Sequence, residues 1–246
     1  MKYTEAQIND LLDRIWSGAV SIESLPADLY QAISKYLTSG LDGIASKVSP
    51  SLITELTENL KYFSAAKTYH QVNDLTIIKN SEEIKTFSEF KAEALKVYDQ
   101  YNVNWLRTEY DTTIGQGQII ERWEQIEKQK KQLPFLRYSA VVDSQTSEIC
   151  LPLDGIIRPV DDSFWDTNSP LNHFNCRCTL EQVDEFDADV TPDEKADKVS
   201  AEMNDARQPL FNSNPYRDKA IFDKEHPYFD LDKQGAKAVD DLVNGE

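Results

Sequence analysis

The chain has 246 residues, a formal net charge of −17 and an isoelectric point near 4.6. A chain of this length buries a sizeable core without disulfides or metals to hold it, and so acidic a surface repels phosphates, so we expect no direct nucleic-acid binding. The first residues hold early charges and no stretch approaches the roughly 18 apolar residues of a membrane span, so we expect a soluble protein of a cytoplasm without membrane contact.

Apolar residues recur at helical spacing through the first part of the chain, which predicts a series of amphipathic helices. In the first segment the apolar face is formed by Ile8, Leu11, Leu12, Ile15 and Trp16. A second helix is predicted from Pro26 to about Gly40, because proline is tolerated in a first turn and glycine is typical of a helix end. Pro50 opens a third predicted helix, whose apolar face holds Leu52, Ile53, Leu56 and Leu60.

Two long helices are predicted between Ser81 and Lys131, where the helical period continues. Gly115 and Gly117 weaken any single unbroken helix across this span, so we expect the two helices to meet near these glycines. The inward face of the second helix is predicted to hold Ile119, Ile120, Trp123 and Ile126. Residues 1–104 therefore form a mostly helical N-terminal region in this interpretation.

The pattern changes after Pro134, which cannot continue a helix. Residues 136–142, LRYSAVV, are rich in β-branched and aromatic residues and predict a strand. The turn dipeptide Asp154-Gly155 is followed by IIRPV, so residues 148–160 are predicted to form a turn into a short strand. The predicted fold class is α+β, with a small α+β unit that starts here.

Most of the negative charge lies after this domain. Residues 179–246 hold 18 Asp and Glu against 8 Lys and Arg, which accounts for ten of the seventeen net negative charges. The segment is sparsely apolar and interrupted by prolines, so residues 183–246 are predicted to form an extended acidic C-terminal arm. Its aromatic stretches, FNSNPYRDKAIF and EHPYF, are expected to bind a partner protein.

All three cysteines lie between residues 150 and 178, together with one of the three histidines. An odd number of cysteines argues against a secreted disulfide framework and leaves reduced thiols or metal ligation. Four soft or borderline donors of the kind that fill a tetrahedral structural zinc site are present: Cys150, His173, Cys176 and Cys178. Two other interpretations stay open, namely buried free thiols beside a hydrogen-bonded histidine and a disulfide between Cys150 and Cys178.

Catalysis by these residues is not favoured. No Glu follows His173 in the His-x-Glu pattern of zinc deaminases, and no Cys-x-x-Cys occurs. His70 and His226 stand apart from the cluster in the sequence, which indicates surface or capping roles. An acid–base pair is conceivable among four carboxylates, but turn and surface roles are more usual for such residues: Asp143, Asp154, Asp161 and Asp162.

Short motifs follow one another in a definite order between residues 105 and 182. They are Arg-Trp on the incoming helix, Tyr and Asp on the predicted strand, Leu-Asp-Gly at the turn, Phe-Trp in the next loop and Asn-Cys-Arg-Cys at the end. The residues are Arg122, Trp123, Tyr138, Asp143, Leu153, Asp154, Gly155, Asp161, Phe164, Trp165, Pro170, Asn175, Cys176, Arg177 and Cys178. In this order and spacing they resemble the core of the Mu F-like minor head proteins of tailed bacteriophages, the phage head morphogenesis family.

The resemblance implies a minor capsid protein, present in few copies inside the virion head near the portal and in the host cytoplasm during assembly. Its implied partners are the portal protein and, after it, the scaffold or the major capsid protein. The family has no established enzymatic activity, so an enzyme is not expected. The alternatives are a phage-delivered effector enzyme, such as a metal-dependent hydrolase or an ADP-ribosyltransferase-like protein, and an acidic module that binds a host protein.

The motif residues suggest how the loops are ordered. Arg122 and Arg177 are candidates to pair with carboxylates such as Asp143 or Asp154. The two loop aromatics are expected to pack onto the helices, and they are Phe164 and Trp165.

Overall fold

A computed structural model describes residues 3–245 of the chain. These residues are mostly helical, and the sheet they form has three antiparallel strands, which confirms the predicted α+β class. They divide into two compact units, each assembled from separate stretches of sequence. The first unit contains the residues through Gly40, Thr57–Tyr110 and those from Pro227 onwards, whereas the second contains Leu41–Leu56 and Asp111–His226. The functional boundaries predicted near residues 104 and 182 stay a prediction.

The N-terminal helices form where the apolar period predicts them. Their bounds are Glu5–Ser17 for α1, Ala27–Thr38 for α2 and Pro50–Lys79 for α3. Helix α1 begins with a capping box, in which the side chains of Thr4 and Gln7 satisfy each other's backbone amides, and it ends at Gly18 with φ of +83°. None of the helices in residues 3–245 combines the length and apolar composition of a membrane span.

The next two helices do not meet at the predicted place. A π-helical segment joins them before the glycines, and the bounds are Phe87–Asp99 for α4, Gln100–Trp105 for the π-helical segment and Leu106–Gln129 for α5. Gly115 and Gly117 lie inside α5, so the prediction of a junction there is wrong. The reason is packing: a Cβ on Gly115 would lie 2.8 Å from Cδ1 of Leu171, so glycine allows this close approach.

The small sheet belongs to the second unit, and its strand order is β2-β1-β3. The bounds are Phe135–Ser139 for β1, Ile157–Pro159 for β2 and Thr179–Val183 for β3. The predicted turn is present, since Gly155 adopts φ of +74° and donates its amide to the Tyr138 carbonyl at 2.9 Å. Alternation along β1 buries Leu136 and Tyr138 in a core that also receives α5 and the short helix α6, Phe164–Asn168.

The C-terminal residues are folded instead of extended, which corrects the expectation of an acidic arm. They form α7, Asp193–Ala206, and α8, Lys233–Asn244. Ala196 and Met203 of α7 belong to the core of the second unit. Four apolar residues of the stretches expected to bind a partner are instead buried, and they are Phe211, Ile221, Phe222 and Tyr228. A small number of apolar residues is enough to fold this segment, because they lie on its buried faces and the acidic residues lie on its exposed faces.

Candidate functional site

The cysteine and histidine cluster predicted from the sequence is assembled in the second unit. The Sγ atoms of Cys150 and Cys176 and a ring nitrogen of His173 all lie within 4.8 Å of one another, and the two sulfurs are 3.7 Å apart. Cys178 hydrogen-bonds with Cys150 and Cys176 but is not one of these three residues. All three cysteines are free thiols. Three of the four predicted ligands are therefore close enough to share one ion, and the fourth lies beside them.

Local backbone structure positions these side chains. Cys150 precedes the 3-10 turn Leu151–Leu153 that leads towards β2. His173 and Cys176 are brought together by a turn in which the Cys176 amide donates to the His173 carbonyl at 3.2 Å. Asn175 occupies the left-handed position of this turn, with φ of 61°, a conformation that asparagine tolerates better than most residues.

Hydrogen bonding favours the thiolate form of one cysteine, Cys176. Hydrogen bonds with Cys150, Cys178 and His173 lower the pKa of the Cys176 thiol well below its ordinary range. The hydrogen bond with Cys176 in turn raises the pKa of His173, and the Nδ1 atom of His173 donates to the Phe174 carbonyl at 2.8 Å. To bind a metal ion, this histidine would release the proton on its other ring nitrogen, while Nδ1 stays held by the backbone carbonyl.

The donor atoms are close enough to contact one ion, since those of Cys150, His173 and Cys176 lie within 4.8 Å of one another. A small cavity of about 30 Å³ lies beside the cluster and is bordered by Cys150, His173 and Cys178, but not by Cys176. Thiolate and imidazole are the donors that zinc prefers in structural sites. The donor set therefore fits a zinc ion.

Two residues that sequence reasoning missed lie behind the cluster. Asn172 donates from Nδ2 to the Tyr138 hydroxyl at 2.7 Å, and that hydroxyl donates to Cys150 Sγ at 3.6 Å. Arg207 donates to the Oδ1 atom of Asn172. Arg207 lies in the segment expected to be an arm, so only the folded chain could reveal this contact.

The motif arginines have different partners. Arg177 forms a two-fold hydrogen bond with Asp143, at 2.8 and 2.7 Å, as expected, and this contact lowers the pKa of Asp143 to about 2. Within residues 3–245 the structure pairs Arg122 with no carboxylate, and its Nε instead donates to the Leu180 carbonyl in β3 at 3.0 Å. Asp154 accepts the Ala140 amide at 2.8 Å. These contacts fix the loop on either side of the cluster.

The motif aromatics belong to the core. Trp123 and Trp165 are fully buried, and Phe164 contacts Trp165 edge-on with ring centroids 4.9 Å apart. The indole of Trp123 donates to the Ser169 hydroxyl at 2.9 Å, and the indole of Trp165 donates to the Pro159 carbonyl at 2.9 Å. Their contacts are structural, in agreement with the expectation that the loop packs onto the helices.

The alternative acid–base residues have structural partners. Asp161 pairs with Lys130 at 2.9 Å, and Asp162 pairs with Arg158 at 2.6 Å. Asp162 also accepts the Phe164 amide at 2.8 Å, which starts α6. These contacts are those of turn and capping residues.

The two remaining histidines lie outside the metal-competent group of the described residues. A ring nitrogen of His70 lies 3.1 Å from the Tyr228 carbonyl. His226 is buried, with its ring edge-on to Phe222, so the surface role expected for it is wrong. It lies within the folded C-terminal segment, where sequence reasoning expected solvent.

Comparison with known proteins gives a consistent family. Residues 52–181, a little over half of the chain, match the family described as Phage Mu protein F like protein. The chain is 36% identical over 81 residues to the Mu-like prophage FluMu F protein of Haemophilus influenzae, covering 33% of this chain and 19% of that protein. It is 37% identical over 80 residues to the putative capsid assembly protein F of Escherichia phage Mu, covering 32% and 16%. The matches therefore span less than a fifth of these relatives, and no solved structure matches the chain.

Proposed function

Because this chain belongs to the family of phage Mu protein F like proteins, we propose that it is a minor head protein of a tailed bacteriophage and acts in head assembly. The observation that carries the proposal is the family match, which covers most of the buried core of the second unit and all four cluster residues. One relative bears the name of a capsid assembly protein, and the proposal extends that role to this chain.

The proposed partners are other head proteins, with the portal protein first and the scaffold and major capsid protein after it. The protein would be present in few copies inside the head and in the host cytoplasm during assembly. The net charge of −17 supports this placement, since a strongly acidic protein is not retained on packaged DNA through phosphate contacts. We expect assistance to assembly, DNA packaging or ejection through protein contacts, without enzymatic activity.

The cluster is proposed to hold a structural zinc ion through Cys150, His173, Cys176 and Cys178. When bound, the ion would stabilise the fold and supply no reactive position. The three protein segments that meet here, before β2, in the turn at residues 173–176 and at the start of β3, would be fixed to one another. The donor types and the spacing within 4.8 Å for three of them support this assignment.

We expect one zinc ion per chain in protein purified without chelators, measured by mass spectrometry of its metals. Cys176→Ser and Cys178→Ser are each expected to lose the ion, because each removes a thiolate donor. Free zinc at 100 times its dissociation constant stabilises a folded protein by about 2.7 kcal/mol, so a chelator should lower the melting temperature of the wild type but not of these variants. His70→Gln, which lies outside the group, should keep the ion.

A wild type without metal, whose three thiols react with a thiol reagent only after unfolding, would contradict the zinc site. The cluster would then be part of the core and nothing more. Full zinc content in Cys176→Ser would equally contradict the assignment of that ligand.

Head assembly is tested in the phage genome that encodes the chain. An early stop codon in its gene is expected to reduce infectious particles at least tenfold and to be corrected by the chain supplied from a plasmid. Mass spectrometry of purified heads should detect the chain, and co-expression with the portal protein of the same genome should give a complex on a sizing column. Normal infectivity without the chain, together with its absence from purified heads, would overturn the proposal. A chain found in heads that does not bind the portal would remove only the proposed partner.

A further inference from the structure

Arg207 is a buried cation at the end of α7 in the second unit, with only 4% of its surface exposed. Its guanidinium donates to side-chain amide oxygens, and these belong to Asn168, Asn172, Asn204 and Asn212. Among residues 3–245 the structure shows no carboxylate paired with it. Burial lowers its pKa to about 10, which leaves it charged at neutral pH. A buried charge normally has a counter-ion, because desolvation is costly and neutral dipoles repay it only in part.

Three consecutive hydrogen bonds, which form the Arg207 relay, connect this guanidinium with the sulfur of Cys150. Arg207 donates to Asn172 Oδ1, Asn172 Nδ2 donates to the Tyr138 hydroxyl at 2.7 Å, and this hydroxyl donates to Cys150 Sγ at 3.6 Å. In each of these three hydrogen bonds, the donor is on the side of the guanidinium and the acceptor is on the side of the sulfur. Asn172 and Tyr138 are fully buried, so water does not screen this series, and consecutive hydrogen bonds of one direction polarise each other.

A zinc ion with three thiolates and one neutral imidazole carries a net negative charge. The structure therefore contains a buried anionic centre in the proposed metal-bound state and a buried cation without a carboxylate partner. We propose that Arg207, acting through Asn172 and Tyr138, is the positioning charge that compensates the zinc–thiolate centre and raises its affinity for the metal. This inference rests on the proposed zinc site and adds a residue that directly follows α7, outside the region matched by the family.

The competing explanation is that Arg207 only fastens the end of α7 to the loop at residues 168–172. The two explanations predict different effects on zinc affinity when Arg207 is replaced. If Arg207 only fastens the helix, its loss destabilises the metal-free and the zinc-bound protein equally, so the zinc affinity is unchanged. If Arg207 compensates the charge of the centre, its loss destabilises the zinc-bound protein more, so the zinc affinity falls.

Tyr138→Phe is the most direct test, because it removes one hydroxyl from the relay and keeps the ring in the core. Zinc affinity of the full chain is measured by competition with a chromophoric chelator, and loss of a group behind metal ligands weakens binding by about 10–100-fold. We expect a decrease in that range for Tyr138→Phe and for Arg207→Gln, and a smaller one for Arg207→Lys, which keeps the charge. With cobalt in place of zinc, the sulfur-to-cobalt absorption band should shift in Tyr138→Phe.

Two control variants distinguish a change in zinc affinity from a general loss of stability. Tyr216→Phe removes a tyrosine hydroxyl beside Trp123 in the same unit, and Arg217→Gln removes a guanidinium that lies 5.1 Å from that indole. Both are expected to change stability without changing zinc affinity. If Arg207→Gln fails to fold, Tyr138→Phe still decides the question.

Zinc affinities of Tyr138→Phe and Arg207→Gln within about twofold of the wild type would overturn the relay while leaving the zinc site intact. A wild type that binds no zinc would overturn both, because the relay then has no anionic centre. The wild-type measurement thus tests the metal site, and the ratio of variant to wild type tests Arg207.

Discussion

Lys67→Met is expected to lower the free energy of unfolding by about 3–5 kcal/mol, because it removes one partner of a buried ion pair. Lys67 Nζ donates to Glu109 Oε1 at 2.8 Å, and the two side chains are 0% and 6% exposed. The rings of Tyr101 and Tyr228 lie 5.2 and 5.1 Å from Nζ and add cation–π attraction that methionine loses. The carboxyl group of Glu109 stays buried without the ammonium and keeps its hydrogen bond with Tyr228, which compensates its desolvation only in part.

The loss in the free energy of unfolding caused by Lys67→Met depends on pH. Burial raises the pKa of Glu109 above its ordinary value of 4.5, and Lys67 opposes this shift. Without Lys67 the folded-state pKa rises further. A raised pKa means that the folded protein binds the proton of Glu109 more tightly than the unfolded chain does. The stability that this protonation contributes is complete below about pH 4.5 and is lost as the pH rises through the folded-state pKa. The deficit should therefore be smallest in acid and grow towards neutral pH.

Urea unfolding followed by circular dichroism at several pH values measures this effect. Lys61→Met is the matched control, because Lys61 pairs with Glu58 on the same helix at a largely exposed position, and its loss should cost less than about 1 kcal/mol. Replacing both partners, Lys67→Met with Glu109→Leu, should recover most of the stability. A deficit below 1 kcal/mol, or one that grows towards acid, would contradict the account of the pair.

Trp123→Ala is expected to lower the free energy of unfolding by about 3–5 kcal/mol, the usual cost of removing a fully buried tryptophan. Trp123 is completely buried, and its indole donates to Ser169 Oγ at 2.9 Å. The ring also lies parallel to Tyr216 at 6.1 Å and 5.1 Å from the guanidinium of Arg217. Alanine leaves a cavity that adjoins both residues, so the contacts of Tyr216 and Arg217 with the ring are lost together.

Denaturant unfolding also measures the second effect. Trp123→Phe keeps an aromatic ring and loses the indole donor, so we expect a smaller loss of stability than for alanine. Phe186→Ala is the control, because Phe186 is 89% exposed and its removal should change stability by no more than about 0.5 kcal/mol. Comparable values for Trp123→Ala and Phe186→Ala would disprove a central role of the indole.

The sequence predicted those elements whose pattern is local. Apolar residues at helical spacing predicted α1 to α3, and Asp154-Gly155 predicted the turn into β2. The C-terminal segment was misread because its average composition is acidic, although single residues such as Met203 and Phe222 are fully or nearly buried. Composition averages over a window, whereas burial is decided by which face of each helix meets the core.

The site shows the same limit. Cysteine and histidine are rare enough in this chain that their clustering was visible in the sequence. Arg207 and Asn172 were not, because 35 positions separate them and neither residue type is distinctive alone. Lys67 was hidden for another reason: it lies within seven consecutive buried residues, 63–69, where a helical period no longer separates an inner from an outer face.

The discontinuous composition of both compact units has a consequence for biosynthesis. A ribosome releases the chain from its N-terminus at about 5–20 residues per second, and folding of a unit is complete only when all of its parts have emerged. The second unit needs α7 to close its core, and the first needs the residues from Pro227 onwards. Translation that stops near residue 182 would leave both units unfinished with large aromatic residues uncovered. Chaperone protection during synthesis should therefore matter more for this chain than for a protein of equal length whose domains follow one another in sequence.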